Sequence, residues 1–190
     1  QLELYTDSVG REGFGAILGE EWCIEAWPAN WYKVGITRNI RLLKFFPIVV
    51  AFTVWATKLA NRQVTLWSDN HTVVPLINNN SAKCLRVLAL LRRLVRFQLD
   101  GNIAIRARHV AGEHNEVADA LSRYQGARFR SLAPSRRGGI GNPGRIVGVG
   151  GGPLSALTEQ TLAPKTLQKY RKYCANFEEV TGTSLPLGAG

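Results

Sequence analysis

The stretch from Leu42 to Leu59 constrains the fold most, because it is almost wholly apolar and too long to leave exposed to water. Such a run either crosses a bilayer or forms an element that is buried on every side. Lys44, Pro47 and Lys58 interrupt it, and with these marks it is too short to read as a membrane span; a buried helix is expected instead. Thr37 or Asn39 supplies its N-cap. Pro47 lacks an amide hydrogen and crowds the carbonyl four residues back, so a kink is expected there. A helix buried all round has to pack against a sheet or other helices. At 190 residues the chain has length for one such domain and an appendage.

The flanking segments supply the sheet. Leu2 to Val9, Gly13 to Leu18 and Glu21 to Trp27 read as a three-stranded meander, from apolar alternation and the Gly/Arg/Glu turn between the first two. Gln63 to Trp67 forms a fourth strand that ends at Ser68-Asp69-Asn70, and a short helix follows through Val73, Val74 and Ile77. Lys83 to Leu99 is a long amphipathic helix, with Leu85, Leu88, Leu91, Val95 and Leu99 read as its packing face and Arg86, Arg93 and Arg96 on a basic one. Asn102 to Val110 returns as a strand, and Glu116 to Tyr124 forms a last helix. The resulting order, β-β-β-α-β-α-α-β-α, predicts an α/β domain with a mixed five-stranded sheet flanked by helices.

Beyond residue 125 the composition changes. Residues 126–163 are rich in Gly, Pro and Arg and are expected to form a flexible basic linker, followed by a helix-like segment over 164–190. Charge follows the same division: residues 1–125 hold 15 Lys/Arg against 11 Asp/Glu, residues 126–190 hold 9 against 3, and the total is +10. So basic a protein is expected to meet a polyanion, nucleic acid first of all. Phosphate contacts from Arg86, Arg93 and Arg96 would supply such affinity. Cys23, Cys84 and Cys174 are odd in number and far apart, which fits neither a zinc site nor a disulfide framework. With no signal-peptide pattern and no membrane partner expected, the reading is intracellular, cytoplasmic or nuclear.

Three aspartates stand where chemistry can gather: Asp7 within the first strand, Asp69 at the end of the fourth and Asp119 in the last helix. First and fourth strands can be neighbours in a mixed sheet, so the three can converge. Clustered carboxylates serve two-metal phosphodiesterases, in which divalent ions roughly 3.5–4 Å apart clamp the attacking and leaving oxygens.

LYTDS with GFGAIL, the SDN strand end and RHVAGEHNEVADALSR together resemble the ribonuclease H domain that follows reverse transcriptase in retroelements, over about residues 1–125. RNIRLLKFFPIVVA, WSDNHTVVPLIN and ADALSRYQGARFRSLAP are similar to the DIRS/Ngaro type, which uses a tyrosine recombinase. TLAPKTLQKYRKYCANFEEV is similar to the first helix of a recombinase core-binding domain, with Tyr170 and Tyr173 read as packing residues. The resemblance implies a ribonuclease H-like fold that cleaves RNA in RNA–DNA hybrids with Mg²⁺ or Mn²⁺ on Asp7, Asp69 and Asp119. It also implies reverse transcriptase and recombinase domains of the same polyprotein as partners.

The sequence departs from this pattern at one place. Ribonucleases H carry a fourth acid near the start of the first long helix, and the LLKFFP word has Lys44 there; no acid lies between Glu25 and Asp69. A Lys–Asp contact at about 4 Å is worth on the order of 4 kcal/mol at an effective dielectric near 20, before desolvation. Lys44 is therefore expected to neutralise the aspartates in place of a cation and to impair hydrolysis, leaving a silent nucleic-acid-binding or connecting module as the alternative. His109 and His114 lie near the loop where the family places a histidine that assists product release; His114 is the candidate for that mobile position, His109 is read as ending a strand and His71 as a helix-start residue.

Overall fold

The computed structural model describes residues 1–27, 29–136 and 138–140. The sheet is built from β1 (Leu2–Ser8), β2 (Gly13–Leu18), β3 (Glu21–Ala26), β4 (Gln63–Ser68) and β5 (Ala104–His109), in the order β5-β4-β1-β2-β3. β1 pairs antiparallel with β2 and β2 with β3, whereas β4 runs parallel to both β1 and β5. This is the mixed, helix-flanked sheet expected from the sequence, extended by a short sixth strand, β6 (Gly138–Ile140), parallel to β3.

The helices are α1 (Ala29–Lys33), α2 (Ile40–Val54), α3 (Ala56–Leu59), α4 (Val73–Asn78), α5 (Leu85–Gly101), α6 (Glu116–Ser122) and α7 (Gly126–Leu132). α2 is the apolar run. Asn39 caps it by accepting a hydrogen bond from the Leu42 amide at 3.2 Å, and the helix continues unbroken through Pro47. Phe45, Phe46, Ile48, Val49, Val50 and Phe52 are wholly buried. Each such side chain contributes about 1.5–3 kcal/mol relative to exposure. Lys58 ends the run on α3 and pairs with Glu21, which also accepts from Trp55 Nε1 at 2.7 Å. No helix of the described residues is long and apolar enough to cross a membrane.

Two cores result. The larger joins α2 and α5 to one face of the sheet; the smaller gathers Ile17, Trp22, Ile24, Ala118, Leu121 and Phe129 on the other. α5 buries Val87, Leu90, Leu91 and Leu94, so its packing stripe is turned from the one expected, and Leu85 and Leu99 face solvent. The i, i+3, i+4, i+7 spacing of 87, 90, 91 and 94 is the better-filled helical face.

The linker expected over 126–163 also begins later than its composition suggests. Gly126–Leu132 is helical because Phe129 is buried edge-on against Trp22, with ring centroids 5.6 Å apart, and β6 follows. The rest of that linker and the recombinase-like segment 164–190 lie outside the described residues. The outer edge of β5 is closed by a side chain: Asn78 accepts from the Ala107 amide and donates to its carbonyl, both at 2.9 Å.

Candidate functional site

β1 and β4 carry two of the three aspartates to one end of the sheet. Their parallel register, Tyr5 opposite Trp67, extends to set Asp7 beside Asp69. α6 brings Asp119 to the same end because Gly15, opposite Asp7 on β2, has no side chain; a Cβ there would sit 2.5 Å from that of Leu121. Asn115, at the start of α6, donates to the Thr6 carbonyl at 3.2 Å and ties the helix to β1.

Lys44 lies between the first two carboxylates. Its Nζ donates to Asp7 Oδ1 at 2.5 Å and to both Asp69 oxygens at 3.0 Å, so three acceptors meet the three hydrogens of one ammonium. The second oxygen of Asp7 accepts from Ser122 Oγ at 2.7 Å. That hydroxyl is also 2.9 Å from the Asp119 carbonyl, but it has a single hydrogen, and the charged acceptor is the stronger claim on it. Asp7 is thus nearly enclosed, 4% exposed, and Lys44 12% exposed.

Asp119 takes a different set of partners. Its carboxylate accepts from Arg123 Nε at 2.6 Å and from Arg128 Nη1 at 2.7 Å. Ser122 joins it to Asp7 through its backbone, while its charge is directed to the two arginines.

The electrostatics separate the acids. Burial pushes the Asp7 carboxyl above the ordinary aspartate value, and Lys44 and Ser122 offset only part of that, with Asp69 adding to the rise. Burial alone would lower the Lys44 ammonium, but the contacts with Asp7 and Asp69 outweigh it and hold the ammonium above its ordinary value. Burial thus sets the direction for Asp7 and the two carboxylates set it for Lys44, and two carboxylates on one cation leave the trio with one surplus negative charge. For Asp119, burial raises the carboxyl, and the hydrogen bonds and charges of Arg123 and Arg128 more than reverse it, so it lies below the ordinary value.

These donors do not fit a divalent cation. Both oxygens of Asp7, both of Asp69 and both of Asp119 are engaged by hydrogen-bond donors, and the cationic ones among these would have to leave before Mg²⁺ could bind. Among the described residues no group of three or more His, Cys, Asp or Glu side chains is arranged to hold a metal ion. Cys23 offers no nucleophile, since complete burial pushes its thiol up to about 12.

The histidines lie where the sequence places them, His109 at the end of β5 and His114 in an exposed turn. His114 is 72% exposed and faces Glu113, whereas His109 Nε2 lies 3.2 Å from the Asp69 carbonyl and its ring stacks on His71 at 3.7 Å. The pair flanking Asp69 is therefore His71 and His109. Of the basic residues on α5, Arg96 is exposed and paired with Asp100 at 2.7 Å, Arg93 is half-buried above the Phe97 ring, and Arg86 is half-buried. Sequence reading missed Ser122, Arg123 and Arg128, although all three follow Asp119 closely, at i+3, i+4 and, in the helix after it, i+9.

The fold and site together define an α/β domain with a mixed sheet and a carboxylate cluster closed by an internal cation. Compared with protein-family models, curated proteins and solved structures, the chain matches none.

Proposed function

We propose that the chain carries a ribonuclease H-like domain of a retroelement polyprotein in which Lys44 occupies the place of the catalytic metal, leaving a module that grips or connects nucleic acid without hydrolysing it. The observation that supports this reading is the Lys44 ammonium, hydrogen-bonded to Asp7 and to both oxygens of Asp69. A resident side-chain cation needs no uptake from solution and cannot polarise a water as a divalent ion does. Arg92 and Arg96, the exposed arginines of α5, and the +10 charge of the chain supply the electrostatic attraction to a phosphate backbone.

Cleavage of a labelled RNA–DNA hybrid in Mg²⁺ or Mn²⁺ tests the proposal. The wild-type chain is expected to bind the hybrid and leave it intact. Lys44→Glu is expected to bind Mn²⁺ in calorimetric titration and to be stabilised by it against heat, as mass action requires of any ligand specific for the folded state. Metal-dependent cleavage by the wild type, lost in Asp69→Asn, would replace this reading with that of a working nuclease.

A further inference from the structure

The sheet face opposite the larger core is covered unevenly. α6 and Phe129 close it over β2, β3 and the Asp7 end of β1, with Tyr5 packed at the edge of that smaller core, while the pairing register continues the face through Glu3, Thr65, Trp67, Arg106 and Arg108. Glu3, Arg106 and Arg108 are exposed. A shallow depression of about 480 Å³ lies there, lined by Gln1, Glu3, Thr65, Trp67 and Arg108.

The side chains on this face are mainly planar and polar rather than aliphatic, with two arginines against the acid Glu3, which accepts from the Tyr5 hydroxyl at 3.3 Å. Tyr5 and Trp67, directly opposite on neighbouring strands, hold their rings within 13° of parallel with centroids 6.0 Å apart. The Arg108 guanidinium stands 5.9 Å from the Trp67 ring centre. The positive charge of Arg136 also reaches Tyr5, and Glu3 opposes it. Aromatic rings and guanidinium planes both stack on nucleobases, and arginines also take up phosphates. A protein partner would favour an apolar sheet face. A duplex hides the faces of its bases in its own stack, so the ligand that matches rings and charges together is unpaired.

We propose that this face binds single-stranded nucleic acid, with bases stacking along Tyr5, Trp67 and the Arg108 guanidinium and the backbone held by Arg106 and Arg108. The surface adjoins the Lys44 cluster, since Asp7 and Asp69 follow Tyr5 and Trp67 by two residues, and it is separate from α5, which packs into the core on the other side of the sheet. It does not rest on hybrid binding.

The test is fluorescence anisotropy of the full chain with labelled oligouridylate and oligothymidylate, and with an RNA–DNA hybrid in parallel. Trp67→Ala is expected to weaken single-strand binding about tenfold while hybrid affinity stays unchanged. Arg106→Gln with Arg108→Gln is expected to make the salt dependence of single-strand binding shallower, by about 0.7 in log–log slope for each phosphate that is no longer neutralised. Should Trp67→Ala unfold by circular dichroism, the charge reversals Arg106→Glu and Arg108→Glu, both at exposed positions, carry the test. Single-strand affinity that survives the double reversal overturns the proposal, as does a wild-type chain that binds the hybrid but not single strands. Loss of hybrid binding alone would instead count against the function proposed above.

Discussion

Asp7 and Asp119 lie on either side of Ser122, yet the protein neutralises them in opposite ways. Asp7 is buried and shares one lysine with Asp69; Asp119 is a quarter exposed and is held by two arginines, Arg123 and Arg128, the second of which also pairs with Glu116 at 3.4 Å. Burial dominates the first and charge pairing the second, which is why one carboxyl lies above the ordinary aspartate value and the other below it. The contrast teaches that a carboxylate cluster can be kept folded without a metal where each acid finds a side-chain cation, and that the penalty for removing that cation depends on how dry the acid is.

Removing the shared lysine should break the comparison most severely. Lys44→Ala leaves Asp7 and Asp69 facing each other with no cation, and a loss of about 3–5 kcal/mol is expected in urea unfolding. Gly15→Ala comes next, because its methyl group meets Leu121 and lifts α6 from β2; about 1–3 kcal/mol is expected, with the Asp7 carboxyl rising further as Ser122 withdraws. Ser122→Ala removes only the hydroxyl and leaves one buried oxygen of Asp7 unpartnered, for about 1–3 kcal/mol by the same measurement. Arg128→Ala, on the exposed side, is expected to cost about 0.2–1 kcal/mol and to move the Asp119 carboxyl upward in carbon-detected NMR titration. If Arg128→Ala proved as costly as Lys44→Ala, the distinction between the two acids would fail.

Acid titration sharpens the same contrast. Asp7 takes its proton above the ordinary 3.8, where the unfolded chain is still ionised, so the folded state gains stability as pH falls through that window. Asp119 contributes stability above 3.8 that is lost as pH falls through its lowered value. At the other extreme, the Lys44 contribution is complete below 10.5 and lost as pH rises through its raised value. Carboxyl resonances of the two aspartates titrating together would contradict the assignment.

Much of this is legible in the residues. Alternation marks the first five strands and the apolar run marks α2, because both patterns are set locally by burial on one face or on all. The absence of any acid between Glu25 and Asp69 leaves Lys44 as the charged group of α2's interior, and its meeting with Asp7 and Asp69 follows from the strand order. What escapes depends on tertiary contact. Phe129 lies among glycines and arginines that read as linker, and only its seat on Trp22 makes the segment a helix. His109 rather than His114 reaches Asp69 because its position is decided by where β5 ends, not by any local word. Spacing alone puts Leu99 in the core, but α5 rotates to bury Leu91 and Leu94 and leaves it in water.

The paired hydrogen bonds between Asn78 and Ala107 have a consequence for how copies of this domain behave in company. A sheet whose last strand keeps free amides and carbonyls can serve as a template for a neighbour's backbone, the first step toward ordered aggregates. By occupying the outward pair at the middle of β5, one carboxamide interrupts that template and allows an arginine-bearing margin to stay solitary in a crowded solution.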